Sequence, residues 1–142
     1  MDVFFYGALL DPDIREIVFG DPHYQEAPAK AVLRGYRRVC VPGETYPYLL
    51  PFPKSAVEGI AFPNLNDVAM ARLLHFEGNA YRLAPVTVER EAEAKPATLM
   101  AFFRAGSFPR VFRPWDFETW TRFQKRRALT AARAHMKRFR PN

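Results

Sequence analysis

In LLHFEGNAY (73–81) a carboxylate, Glu77, closes what reads as a short amphipathic helix. It would sit among the last, unsatisfied helix carbonyls, at the negative end of the macrodipole. Phe76 and Leu73 add an apolar shell. Both effects raise a carboxyl pKa, and a carboxyl raised toward neutrality suits a general base. The plainer alternative is a frayed end whose Glu points to water, yet a residue that breaks a local rule without gain points to function. A second candidate is YGALLDP (6–12), where a strand ends, Gly7 permits positive φ and a helix follows. Consecutive N–H groups at such a turn form a concavity for a phosphate or a carboxylate, and the helix N-terminus adds favourable potential. An ordinary strand–helix turn explains the same residues, and no P-loop or dinucleotide fingerprint is present. In ETYPYL (44–49), Tyr46 and Tyr48 flank Pro47. That rigid loop could wall a small cavity, or simply cover the end of a barrel.

Other reactive types are poorer candidates. His23, His75 and His135 lack metal-ligand spacing. Cys40, the single cysteine, excludes an internal disulfide and reads as a small core residue of a strand. Ser55 and Ser107 have no nucleophile-elbow context. Glu89, Glu91 and Glu93 alternate and read as a solvated strand edge.

The elements that must position these groups follow from pattern. The chain has 142 residues, 49% apolar and 15% aromatic, enough for one globular core. Thirteen prolines argue for short strands and rigid connections rather than a bundle. VFFY (3–6) reads as a buried strand. A helix follows with Asp11 as N-cap, Pro12 at N1, Gly20 beyond its end, and Ile14, Ile17 and Val18 on one face. Strands are expected over 29–41, with a kink at Gly35, and over 56–62, 81–91 and 97–104. Between the first two, PGETYPYLLPFP (42–53) has four prolines in twelve residues and reads as an ordered, irregular loop. A helix over about 65–77 enters through Asn64 or Asn66 and stops at Gly78 in the αL conformation. A long helix over 114–139 has Asp116 as N-cap and a stripe of Phe117, Trp120, Ala128, Ala131 and Met136. These five or six short strands with interspersed helices predict an α+β fold: a small mixed, mostly antiparallel β-barrel flanked by helices, with a long C-terminal helix.

The net charge of +6 is unevenly placed. Residues 1–109 carry 11 Lys/Arg and 13 Asp/Glu, whereas residues 110–142 carry 10 and 2. The expected organisation is a domain over 1–109 and a basic C-terminal helix over 110–142 packed on it. No basic leader opens the sequence and no apolar run approaches ~18 residues, so the expectation is a cytoplasmic protein that does not span a membrane.

FFYGALLDP (4–12), LRGYRR (33–38), the YP of GETYPYLLP (43–51), VEGIAF (57–62) and LLHFEGNAYR (73–82) resemble, in order, the γ-glutamylcyclotransferase-like superfamily, which includes the avirulence-induced plant proteins. The resemblance covers about residues 1–104. It implies a small barrel flanked by helices and a turn, here Tyr6, Gly7, Ala8 and Leu9, whose backbone amides hold the α-carboxylate end of a γ-glutamyl group. It implies that Glu77 is the general acid/base and that Tyr81 matches the tyrosine that follows it, with Tyr46 and Pro47 walling the substrate. The implied chemistry needs neither metal nor cofactor. The substrate's α-amine attacks its own γ-carbonyl, closes 5-oxoproline and expels the γ-linked amine, an acyl transfer that is also a lyase reaction. An amino acid, a polyamine, a protein lysine side chain or a biosynthetic intermediate all fit the amine half. The chain departs from the family's pattern in three places. Ala8 stands where Thr or Ser is common, and His75 replaces a frequent Asp. Leu83 occupies the place of an arginine, with Arg82 one position earlier and therefore on the other strand face.

Two rival readings stand beside this one. The pocket could bind a γ-glutamyl group or another carboxylate without turnover. Alternatively Arg122, Lys125, Arg126, Arg127, Arg133, Lys137, Arg138 and Arg140 could bind nucleic acid or an acidic partner. The sequence alone favours a solvated outer helix face over the latter, because no stacking platform or groove-reading motif accompanies the charge.

Overall fold

The computed structural model describes residues 1–26, 29–105 and 113–141. Five strands close a barrel in the order β1-β3-β2-β4-β5, with β1 Val3–Phe5, β2 Ala29–Cys40, β3 Pro47–Phe62, β4 Tyr81–Arg90 and β5 Ala97–Arg104. Every pairing is antiparallel except β1 with β5, which is parallel at Val3↔Met100. The expected mixed, mostly antiparallel barrel is therefore present, flanked by four helices: α1 Pro12–Phe19, α2 Asp67–Glu77, α3 Phe117–Phe123 and α4 Lys125–Met136.

The period-2 alternation of β1 sets the two main layers of the core. Phe4 and Tyr6 join Leu33, Leu49, Val57, Val88, Leu99 and Ala101 inside the barrel. Val3 and Phe5 face outward, where Ile14 and Val18 of α1 and Ala69 and Leu73 of α2 cover them. Trp120, Ala128 and Ala132 belong to this same outer cluster, so α3 and α4 complete the core rather than trail from it. The expected boundary at 109/110 lies outside the described residues.

The strands are longer than expected. The segment 42–53 is not an irregular loop, because β3 starts at Pro47 and runs 16 residues. It tolerates proline for a geometric reason. β3 has β2 as its strand partner from Pro47 onward and meets β1 only near Ile60, so its other edge can accept a missing N–H. Pro47 and Pro51 pair with Cys40 and Tyr36 and are four apart, so their lost donors share one edge. Pro53 falls where the register shifts opposite Arg34 and Tyr36, at the expected kink of Gly35.

The expected helix over 114–139 is two helices. The chain breaks at Gln124, at φ −120° and ψ −18°, which ends α3 and starts α4. Within α4, Ala132 lies at four-residue spacing between Ala128 and Met136 and is buried with them, whereas the expected Ala131 is exposed. Besides this packing, ion pairs and a histidine stack tie α4 to α1 and α2. Lys125 Nζ lies 2.9 Å from Asp11 and 2.8 Å from Asp13 at the start of α1. His75 and His135 stack at 4.4 Å, each ring Nε2 donating to the other's backbone carbonyl at 3.0 and 2.7 Å. Cys40 is half-buried, and its Sγ donates to the Pro114 carbonyl at 3.5 Å. Glu89, Glu91 and Glu93 are exposed, but only Glu89 lies on a strand, paired with Arg34 at 3.1 Å.

Candidate active site

The first wall of the site is the turn that leaves β1. Residues Ala8–Leu10 form a single 3₁₀ turn, closed by Leu10 N–H on the Gly7 carbonyl (2.9 Å) and Asp11 N–H on the Ala8 carbonyl (3.0 Å). The amides of Ala8 and Leu9 head this turn, where helical geometry offers no acceptor. Asp11 then caps α1, accepting from the amides of Asp13 and Ile14 at 3.1 Å. Gly7 does not use positive φ; it sits at φ −125°, and its demand for glycine is spatial. A Cβ there would lie 2.8 Å from Pro47 Cδ, closer than side chains approach.

Two arginines hold this turn from behind. Arg15, 2% exposed, donates through Nη1 to the carbonyls of Leu9 and Leu10, each at 2.9 Å. Its Nε donates to Tyr24 at 2.7 Å, and its Nη2 to Gln25. Burial lowers its pKa and the nearby Asp11 partly offsets that. Arg38 Nη1 donates to the carbonyls of Tyr6 at 2.9 Å and Glu58 at 3.1 Å, and its guanidinium lies 5.1 Å from the Trp115 ring centroid. Arg38 closes the LRGYRR segment of the family resemblance, but neither residue was assigned a role from the sequence. A signal existed for Arg15: it stands three and four residues before Val18 and Phe19, on the buried face of α1.

The second wall is the end of α2. Asn66 caps this helix, accepting from the Ala69 amide at 2.8 Å. Gly78 ends it with its N–H on the Leu74 carbonyl at 3.0 Å. Its φ of 76° is positive as expected, but ψ of −176° is extended rather than αL. Glu77, the last helical residue, is half-buried with its carboxyl in a cavity, and burial pushes that carboxyl up to about 8. The expected cause is thus half right: desolvation accounts for the rise, and the helix end is not needed to explain it.

The cavity is small, about 40 Å³, and is lined by Phe4, Phe5, Tyr6, Gly7, Ala8, Leu9, Tyr46, Pro47, Phe76, Glu77 and Phe102. The fold thus brings together seven residues singled out by sequence, from three separate segments. Phe102 of β5 had no sequence signal. Tyr81 does not line the cavity; it stands behind the wall, its hydroxyl donating to the Pro47 carbonyl at 3.3 Å and its ring meeting Tyr46 edge-on at 5.9 Å. Tyr6 reaches through the barrel to donate to the Phe102 carbonyl at 2.5 Å. Burial raises the pKa of Tyr6 and Tyr81, and the carboxylate form of Glu77 raises both further. Burial also raises Tyr46, with Glu44 adding to it. All three phenols therefore stay protonated donors while Glu77 titrates.

His75 points away from the cavity to His135, and Leu83 packs in the outer core cluster, with Arg82 exposed. A larger open groove, about 880 Å³, runs along β2, β3 and the β4–β5 turn, but its carboxylates Glu58, Glu89, Glu91 and Glu93 are all exposed. Of these two, the small cavity is the one lined by a carboxyl that burial raises, beside the head of the Ala8–Leu10 turn.

Comparison with known proteins points to one family. A family model described as gamma-glutamyl cyclotransferase, AIG2-like, matches residues 3–122. AIG2-like protein A of Arabidopsis thaliana is 27% identical over 130 residues, covering 90% of this chain and 76% of that protein. Another Arabidopsis thaliana protein, known from its solution structure, superposes with a TM-score of 0.65 at 26% identity, covering 99% of this chain and 94% of that one. A gamma-glutamyl cyclotransferase shares the fold, with a TM-score of 0.58 at 15% identity over 99% of this chain and 88% of that one.

Proposed function

The chain belongs to the gamma-glutamyl cyclotransferase, AIG2-like family, and on that premise we propose that it cleaves a γ-glutamyl amine or amide by cyclisation, yielding 5-oxoproline and the free amine. The observation that carries this reading is the Glu77 carboxyl, raised to about 8, in one small cavity with the open amides of Ala8 and Leu9.

The amides and the turn bind the substrate's α-carboxylate, which leaves the γ-carbonyl toward Glu77. Ionised Glu77 takes a proton from the α-ammonium. The freed amine attacks the γ-carbonyl carbon, the N–C bond closes the five-membered ring and the carbonyl electron pair moves onto oxygen. Collapse of this tetrahedral intermediate breaks the bond to the leaving nitrogen, which receives the proton held on Glu77, and the carboxylate then relays the second proton from the ring nitrogen to the freed amine, which departs as its ammonium ion. The carboxylate is regenerated, and the products are 5-oxoproline and an amine. The attack is intramolecular, so holding the glutamyl chain folded supplies much of the rate. A single carboxyl with a pKa near the working pH serves both transfers. The cavity is tight for a glutamyl group, and Tyr46, 36% exposed at its rim, is the wall that gives way. Tyr6, Gly7, Ala8, Leu9, Tyr46 and Pro47 bind the substrate in this reading, and Tyr81 positions Pro47 and Tyr46.

The test is 5-oxoproline release from a panel of γ-glutamyl amino acids and γ-glutamyl amines, with wild type beside Glu77→Gln. Wild type should release 5-oxoproline, and Glu77→Gln should lose about 10²- to 10⁴-fold in kcat, the usual worth of a positioned acid–base group. Undiminished turnover by Glu77→Gln would sink the assignment of the base. A wild type that binds γ-glutamyl compounds but releases nothing would make the site a binding pocket.

A further inference from the structure

We propose that the outer face of α4 binds the phosphodiester backbone of nucleic acid, independently of sequence and separately from the pocket. The observation is angular. Ala128, Ala132 and Met136 are buried. At ~100° per residue, Arg126 and Arg133 fall on one line with the C-cap Lys137, and Arg127 on a second, both on the side opposite that buried line, and Arg138 follows in the turn after the helix. All five are exposed. None of the five has an acidic partner among the described residues, whereas Lys125 of the same helix is tied to Asp11 and Asp13.

Two plain explanations cover part of this. Cations in the last turn complement the negative end of the helix, which accounts for Arg133, Lys137 and Arg138. Solvation accounts for any lone arginine. Neither accounts for Arg126 and Arg127, which stand in the first turn of α4, where no acidic residue accompanies them and the helix end is positive. Five uncompensated cations along one face, two of them placed against the dipole, form a concentrated positive field.

The chemistry of the face selects the partner. From Arg126 to Lys137 the cations span ~17 Å, facing a phosphate every ~3.4 Å along each duplex strand. An anionic membrane would also attract them, but an interfacial helix needs a free apolar face, and that of α4 is used against the barrel and its helices. Phe123, beside the face, is 74% exposed, but it is a single ring and does not supply the continuous apolar face that an interfacial helix inserts. Arginine in particular suits phosphate, because its planar fork donates in pairs.

The experiment is fluorescence anisotropy of the full chain with a labelled DNA duplex of about 20 base pairs across a salt series. Wild type should bind with micromolar affinity near physiological salt, and log K should fall against log salt with a slope of about −4, as for four or five phosphates neutralised. Arg126→Gln/Arg127→Gln/Arg133→Gln should flatten the slope by about 3, and Arg133→Gln/Lys137→Gln, which leaves the first turn intact, by about 2. Circular dichroism should be unchanged in both, as should 5-oxoproline release, so failure here and failure of the pocket reading are separable. Unaltered affinity in both variants, or no binding even at low salt, would overturn the proposal. So would equal or tighter binding, through the same arginines, to phosphatidylserine vesicles or to polyglutamate. The former outcome would make the face a membrane contact and the latter an acidic-protein contact.

Discussion

Arg15 and Arg126 lie at the two extremes of what a guanidinium can do in one small protein. Arg15 is buried behind the pocket, donating to four backbone carbonyls, while Arg126 reaches into water with no partner among the described residues. Inside the fold, a charge must be matched bond for bond or it is expelled, so each buried cation fixes a local backbone shape. On α4, water screens each charge, the cost of leaving it unmatched is small, and the field is available to a partner. The pocket end therefore uses charge to hold geometry and, on the function proposed above, to move a proton, whereas the helix end uses charge to project a field.

Replacing Arg15 should break the inner half of that comparison most severely. Arg15→Met keeps the bulk but leaves the carbonyls of Leu9, Leu10, Tyr24 and Gln25 without their donor. A loss of at least about 3 kcal/mol is expected in urea unfolding, from several buried acceptors desolvated at once. The Ala8–Leu9 amides would lose their backing, so 5-oxoproline release should fall even in the fraction that stays folded. A loss below about 1 kcal/mol would mean that the turn holds its own shape.

Glu77 sharpens the comparison, since it is an acid that the fold keeps protonated. Its carboxyl stands at about 8, against an ordinary 4.5. Between those values the native state retains a proton that the unfolded chain has released, so stability falls as pH rises through that window and levels off above about 8. Glu77→Gln abolishes the penalty. It should match wild type near pH 4 and exceed it by about 1–3 kcal/mol near pH 9, allowing for the part of the carboxylate that meets water. Over the same window kcat/KM of the wild type should climb, with its acid limb near 8, as the base form appears. Activity and stability thus move in opposite directions with pH. Parallel pH dependence of stability in wild type and Glu77→Gln would assign the titration elsewhere.

How much of this could be read in the sequence depends on how local the cause is. Asp11, Pro12 and Gly20 bound α1 as expected, because caps act within one turn. Asn66 and Gly78 bounded α2 for the same reason, although the ψ of Gly78 depends on where β4 begins and was not legible. β3 was misread because proline density is a local signal, while tolerance for proline depends on which edge of the strand has a partner. The break at Gln124 has no proline or glycine to announce it. The buried stripe of α4 takes Ala132 rather than Ala131 because four-residue spacing keeps it in line with Ala128 and Met136. In the site, Glu77 stood out because it violated a local rule, and the family resemblance gathered Tyr6 to Leu9, Tyr46 and Pro47 around it. Arg15 and Phe102 carried no motif and Arg38 only closed LRGYRR, because the roles of all three exist only once distant carbonyls and rings converge.

The smallest expected effect tests the outer half of the comparison, and its sign is what matters. Arg126 and Arg127 stand at the positive end of α4 with no acidic residue in that turn. If they hold the fold together, removing them must destabilise it. If they are there to face a polyanion, the free protein bears a dipole cost of about 0.3–1 kcal/mol for each, reduced by exposure and salt. Arg126→Gln/Arg127→Gln should therefore raise the urea midpoint slightly at low salt, by up to about 1 kcal/mol, and the gain should shrink as salt is added. The same pair of substitutions should weaken duplex binding, so stability and binding would part company at these two residues. A loss of stability that salt does not change would instead show packing by the arginine stems along the helix surface, and the contrast with Arg15 would be one of degree.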